Sequence, residues 1–90
     1  MLDSRAAGTP WIFSPILGLG SNPLWSRFYE TPAENPFLGQ QFGGAYMRGI
    51  MSSAEATGGI HFSATMKHYM GYSDPKTGHD RTDACVLIHK

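Results

Sequence analysis

From Ile60 to Met66 the chain alternates: Ile60, Phe62, Ala64 and Met66 fall on one side, His61, Ser63 and Thr65 on the other. That period of two predicts a strand with an apolar and a polar face. Lys67 continues the polar face and His68 follows where the strand should stop, because Gly71, Ser73, Asp74, Pro75 and Gly78 then supply turn chemistry. Earlier, Trp11-Ile12-Phe13-Ser14-Pro15-Ile16-Leu17 is a mostly apolar run of the kind buried on both faces of a parallel sheet, weakened in its second half by Pro15. Between the two runs, Asn35-Pro36 predicts a helix start, Asn as N-cap and Pro in the first turn. Leu38, Phe42, Ala45, Tyr46 and Gly49 follow at helical spacing and predict one buried stripe. Gly39, Gly43 and Gly44 each cost such a helix roughly 1 kcal/mol relative to Ala, so close approach to a sheet is the expected compensation. Ser52 to Gly59 is expected to be a polar linker.

The order strand, loop, helix, strand predicts the α/β class: one βαβ unit with parallel strands and a right-handed crossover. A lone unit of this kind leaves strand edges open and has little core. The expectation is therefore a slice of a larger fold.

The remaining segments are loops. Met1 to Thr9 reads as a helix end or frayed start, stopped by Gly8 and Pro10. Gly18-Leu19-Gly20 follows the first strand, but the third glycine of a dinucleotide fingerprint would fall at Pro23 and no helix opens there. Leu24 to Glu30 is aromatic-rich and carries Arg27 and Glu30. These two could simply pair with each other; equally, a guanidinium held among aromatic rings offers a fixed fork of donors to hydroxyls or carboxylates. The sequence leaves the two readings even.

Composition narrows the function classes. With 41% hydrophobic and 16% charged residues, the 90-residue chain is globular in type. Seven basic residues balance seven acidic ones, which provides no electrostatic footprint for nucleic acid or an anionic membrane. No stretch approaches the roughly 18 apolar residues of a membrane-spanning helix, and Met1 to Arg5 lacks the pattern of a signal peptide. Cys85 is single, so the compartment stays undetermined. Eleven glycines and six prolines point to long ordered loops between few regular elements.

The candidate chemistry sits at the end of the second strand. The Lys67 ammonium and the His68 imidazole can both reach one bound polar molecule. Tyr69 and Tyr72 add aromatic surface with hydroxyls, and the following loop is dense in Ser73, Asp74, Lys76, His79, Asp80 and Arg81. The bland alternative is a solvated strand end without a task. A metal site from His61, His68, His79 and His89 has no supporting ligand motif, and neither a P-loop nor a G-x-S-x-G elbow is present.

Asn22-Pro23-Leu24-Trp25-Ser26-Arg27-Phe28-Tyr29-Glu30-Thr31, then Glu34-Asn35-Pro36, then Met66-Lys67-His68-Tyr69-Met70-Gly71-Tyr72 resemble glycoside hydrolase family 3. The family pattern runs N/D-P-x-W-x-R-x-x-E-(S/T), a helix start, and K-H-(F/Y) at a strand end. Ser73 to Arg81 is similar to the corresponding loop of its β-glucosidase-like eukaryotic members. The resemblance covers nearly all of Trp11 to Thr82, and 83–90 reads as a divergent tail.

The resemblance implies a βαβ fragment of a (β/α)8 TIM-type barrel, with sites at the C-terminal ends of strands. It implies that Arg27, Lys67 and His68 bind sugar hydroxyls of a β-glucoside or related oligosaccharide in the glycone subsite. It calls for no cofactor and no metal; the remainder of the barrel would be the partner if the natural chain is longer. A retaining glycosidase needs two carboxylates roughly 5–5.5 Å apart, and no Asp or Glu here stands in a matching context, so no catalytic residue is assigned. Departures lie at Gly18-Leu19-Gly20, at Pro32-Ala33-Glu34-Asn35 and after Thr82. His79-Asp80 is the reverse of an Asp-His pair used by one branch and is read as loop. The expectation is a fragment of a retaining β-glucosidase-like enzyme, inactive alone; the alternative is a non-catalytic carbohydrate-binding or truncated remnant.

Overall fold

A computed structural model describes residues 2–59 and 62–85. In chain order these form helix α1 (Leu2–Ala6), strand β1 (Trp11–Ile12), a 3-10 turn (Phe28–Glu30), helix α2 (Pro36–Glu55) and strand β2 (Ser63–Ala64). The two strands pair in parallel, Trp11 opposite Ser63 and Ile12 opposite Ala64. With α2 between them in sequence, the expected βαβ order is present. The described residues contain this one two-stranded sheet and do not close into a barrel.

Regular strand is shorter than the apolar run from Trp11 to Leu17 predicts. Beyond Ile12 the ladder continues irregularly: the Lys67 N–H donates to the Pro15 carbonyl at 3.1 Å and Leu17 N–H to the Lys67 carbonyl at 2.8 Å. Pro15 has no N–H to give and a fixed φ, which interrupts the repeat. Nor is the run buried on both faces, since Trp11 and Phe13 are 60% and 66% exposed. In the second strand, Ile60 and His61 lie outside the described residues. Phe62 and Ala64 are half-buried, but Met66, expected on the same apolar face, is exposed.

Helix α2 starts where the sequence places it. The Asn35 side chain accepts from the Leu38 N–H at 2.9 Å and Pro36 occupies the first turn. Its packing face differs from the predicted stripe: Leu38, Phe42, Ala45 and Gly49 are exposed and Tyr46 is half-buried. The buried residues are Gly39, Gly43, Ile50 and Ala54, a helical series that Tyr46 completes. Glycine decides which face packs. A Cβ on Gly43 would stand 3.1 Å from Leu17 Cδ2, and one on Gly39 3.7 Å from Leu19 Cδ2. The backbone at these two positions thus rests on side chains of the first strand region, whereas Gly44 meets only Arg48 of its own helix. Tyr46 adds a bond from its hydroxyl to Ser14 Oγ at 2.9 Å. The helix also runs through Ser52–Glu55, read above as linker. The Ser52 and Ser53 hydroxyls satisfy themselves on the Gly49 carbonyl within the helix, and Ala54 is buried.

Trp25, Ile50 and Ala54 are the buried hydrophobic residues among those described. The radius of gyration, 15.5 Å, exceeds the roughly 12 Å of a compact domain of this length. A second packed region therefore matters: the loop after His68 folds back on itself and clips onto the loop around Trp25. Lys76 N–H donates to the Asp83 carbonyl and Cys85 N–H to that of Asp74. Asn22 Nδ2 donates to the Pro75 carbonyl and Ser21 Oγ to Asp74 Oδ1, each at 3.0 Å. Gly78 closes this contact with φ +79°, where a Cβ would lie 2.8 Å from Leu24 Cβ. Gly78→Ala should therefore lower the thermal midpoint by more than about 5 °C, combining about 1–2 kcal/mol of left-handed strain with the clash. Circular dichroism melts against Lys76→Ala check this, and an unchanged midpoint would show the loop contact to be dispensable.

Candidate functional site

The turn of chain from Asn22 to Glu30 is fixed by its own backbone. Trp25 N–H donates to Asn22, Phe28 N–H to Trp25 and Glu30 N–H to Arg27, each to a carbonyl 3.0 Å away. With Trp25 driven inside at 2% exposure, the 3-10 spacing sets Arg27 and Glu30 on one side. They form a two-pronged ion pair: Arg27 Nε donates to Glu30 Oε1 at 2.8 Å and Nη2 to Oε2 at 2.9 Å.

The other end of the guanidinium crosses to the strand end. Arg27 Nη1 lies 3.3 Å from His68 Nε2 and 3.3 Å from the Tyr72 hydroxyl. A guanidinium has no acceptor, so His68 Nε2 carries the lone pair and the imidazole proton sits on Nδ1. The pairing of Arg27 with Glu30 that the sequence left open is present, and the same guanidinium also faces His68. Of its five N–H groups, the four bonds named engage four. One N–H, on Nη2, remains.

Lys67 is anchored through its backbone, N–H to Pro15 and carbonyl to Leu17, and the peptide joining it to His68 is cis. Its ammonium acts on Glu30 and His68 through charge. Among the described residues it belongs to no ion pair. The sequence-predicted Arg27 and His68 are therefore in contact, with the Lys67 charge close enough to act on His68 and Glu30.

Two residues complete the arrangement: Tyr72, one of the two aromatic candidates beside the strand end, and Asp80, one polar residue among several in the loop that follows. Tyr72 lies against the His68 ring at 4.2 Å and meets Trp25 edge-on at 5.5 Å. Its hydroxyl donates to Asp80 Oδ2 at 3.2 Å, while the Trp25 indole N–H donates to Asp80 Oδ1 at 3.0 Å. The reversed His79-Asp80 pair is split by the turn: Asp80 faces inward and His79 is exposed. Tyr69, the other aromatic candidate, is 86% exposed. Of the four histidines weighed as metal ligands, His61 and His89 lie outside the described residues.

Charge follows from these contacts. The bond to Glu30, then that to Tyr72, holds Arg27 above its ordinary range, and the same guanidinium holds Glu30 below the usual carboxylate range. Asp80 is held low by the Trp25 indole first and then by the Tyr72 hydroxyl. Burial, then the charges of Arg27 and Lys67, pushes His68 below the ordinary histidine value. His68 is thus neutral at pH 7 and accepts from Arg27. Its folded-state pKa lies below its unfolded value of about 6.5, so its stabilising share is complete above about pH 6.5 and lost as pH falls through the depressed folded value. The urea midpoint should accordingly decline as pH is lowered below about 6.5, and His68→Gln should flatten that decline; equal slopes in both proteins would exclude His68 as its source.

A hollow of about 530 Å³ lies elsewhere, between α2 and β1, lined among others by Ile12, Ala45, Tyr46 and Ile50. Its lining includes Ser4 and Ser14 but no charged side chain, and it is separate from the Arg27–His68 cluster.

The sequence profile of the glycosyl hydrolase family 3 N terminal domain matches residues 2–86. A lysosomal beta glucosidase of Dictyostelium discoideum is 46% identical over 88 residues, which is 93% of this chain and 11% of that protein. Beta-D-xylosidase 1 of Arabidopsis thaliana is 33% identical over 82 residues, 90% of this chain and 10% of that protein. An exo-1,4-beta-xylosidase of Emericella nidulans is 33% identical over 61 residues, 68% of this chain and 8% of that protein. The chain spans about a tenth of the length of these curated relatives.

Proposed function

The chain belongs to the glycosyl hydrolase family 3 N terminal domain family, and from that premise we propose that it supplies the glycone-binding residues of a retaining β-glucosidase-like hydrolase. In this reading the βαβ unit is part of a (β/α)8 barrel, and Arg27, Lys67 and His68 donate to hydroxyls of a β-linked glucose. The observation that carries it is the contact of Arg27 Nη1 with His68 Nε2 across 41 residues of sequence. That contact brings a loop guanidinium to the strand end beside the Lys67 ammonium. The donors differ in kind: the remaining Nη2 N–H of Arg27, the Nδ1 N–H of His68 and the three N–H groups of Lys67. Charged donors to buried hydroxyls contribute roughly 1.5–3 kcal/mol each, part of it realised as the ring flattens toward an oxocarbenium ion. A glucoside is favoured over a xyloside by the 46% identity to the beta glucosidase against 33% to the two xylosidases.

The catalytic carboxylates are assigned to neither Glu30 nor Asp80. Glu30 has both oxygens on Arg27 and Asp80 has one on Trp25 and one on Tyr72. Both are held in the ionised form, the opposite of what a general acid needs. The chain by itself should therefore bind a glucoside without hydrolysing it. Titration of the folded 90-residue chain with methyl β-glucoside, followed by NMR, should give saturable shifts with Kd of about millimolar order. Lys67→Ala should weaken binding about tenfold. Measurable turnover of an aryl β-glucoside would overturn the carboxylate assignment, and a folded chain with no saturable shifts would overturn the sugar site.

A further inference from the structure

Tyr72 is in contact with Arg27, His68, Trp25 and Asp80 yet has no place in the sugar-binding set. Its hydroxyl accepts from Arg27 Nη1 and donates to Asp80 Oδ2. Its ring lies on His68, is met edge-on by Trp25, and has the Arg27 guanidinium 5.7 Å from its centroid. Asp80 is itself fixed on both oxygens, since the indole of the buried Trp25 holds Oδ1. We propose that Tyr72 and Asp80 are positioning residues: the carboxylate, pinned by Trp25, orients the Tyr72 hydroxyl so that its lone pair, together with His68 Nε2, fixes the Nη1 end of Arg27.

The physical reason is the shortage of other anchors. Glu30 fixes only the Nε and Nη2 edge of the guanidinium. The outer nitrogen, Nη1, would otherwise be held by His68 alone, through a single 3.3 Å contact. A hydroxyl both accepts and donates, so the Tyr72 oxygen takes the Arg27 bond while its proton is free to turn to an acceptor in reach. Asp80, ionised and 3.2 Å away, takes that proton's bond, which settles the direction of the chain from Arg27 through Tyr72 to Asp80. Nη1 held in this place keeps the His68 tautomer, because Arg27 can meet Nε2 only while Nε2 is unprotonated. Glu30, Lys67 and Asp80 are the other charges acting on His68.

This rests on the sugar-site reading for its purpose, but its test does not. The imidazole nitrogen spectrum of His68 distinguishes a protonated from a lone-pair nitrogen. In the unaltered chain the Nδ1–H tautomer should dominate. Tyr72→Phe keeps the ring that packs on His68 and Trp25 and removes only the hydroxyl. The tautomer should then relax toward a mixture and the His68 midpoint should rise toward its ordinary value, with methyl β-glucoside binding about threefold to tenfold weaker. Asp80→Asn, isosteric and uncharged, should shift the tautomer in the same direction, and the tautomer decides the matter if Tyr72→Phe does not fold; the midpoint is not the readout for this variant, because the Asp80 charge itself raises His68. A tautomer unchanged in the folded variants would reduce Tyr72 to packing and overturn the proposal. Failure of the unaltered chain to bind glucoside, with the tautomer shift intact, would overturn the sugar site and leave the positioning role standing.

Discussion

Arg27→Ala is expected to take methyl β-glucoside binding below detection while leaving most of the fold in place. The guanidinium sits on a turn whose geometry comes from backbone bonds and from Trp25, none of which needs the Arg27 side chain. Its loss removes one charged donor to the sugar and the contact that fixes the His68 tautomer. One such donor is worth roughly tenfold to a hundredfold in affinity, enough to move a millimolar ligand out of range. Two further readouts should follow. Glu30 loses the partner that holds it low, so its titration should move up toward the ordinary carboxylate value. His68 loses the larger of its two cationic influences and should titrate higher. Arg27→Lys should restore charge but not affinity, because a point ammonium cannot span both Glu30 oxygens and also reach His68 and Tyr72. Binding within twofold of the unaltered chain for Arg27→Ala would remove this residue from the site.

Trp25→Ala should have the largest effect on stability. Removing a buried Trp costs about 3–5 kcal/mol, and Trp25 is one of only three buried hydrophobic residues among those described. It also severs the Asp80 bond and the edge contact to Tyr72 that join the two loops. The expected outcome is a chain without a cooperative unfolding transition by circular dichroism. Trp25→Phe keeps much of the ring and loses the indole N–H, so it should fold with a loss of about 1–3 kcal/mol. If Trp25→Ala unfolded with the same urea midpoint as the unaltered chain, the loop packing around residue 25 would contribute little.

Local rules were legible where one residue type has one use. Asn35-Pro36 predicts a helix start, and it caps one; regular strand stops at Ala64, and Lys67 adds only an isolated bridge to Ile16 before the turn. Legibility failed where a choice between surfaces had to be made. Leu38, Phe42 and Ala45 look like the inner face of α2 by hydrophobicity, yet the helix turns Gly39 and Gly43 inward. Leu17 and Leu19 supply the apolar bulk and need backbone to lie against. Ser52 and Ser53 read as linker because hydroxyls favour loops, but each satisfies its hydroxyl on the Gly49 carbonyl within the helix. Asp80 gave no sign of its role, being one charge among several in an exposed-looking loop.

Pattern and residue type were thus sufficient for the order of elements, which depends on neighbours within a few positions, and the parallel pairing of Trp11–Ile12 with Ser63–Ala64 follows from that strand–helix–strand order. Which helix face packs, that Arg27 bridges Glu30 and His68, and that Asp80 turns inward to hold Tyr72 were decided only in three dimensions. Each depends on contacts between segments some 20 to 55 residues apart, whose geometry no local period records.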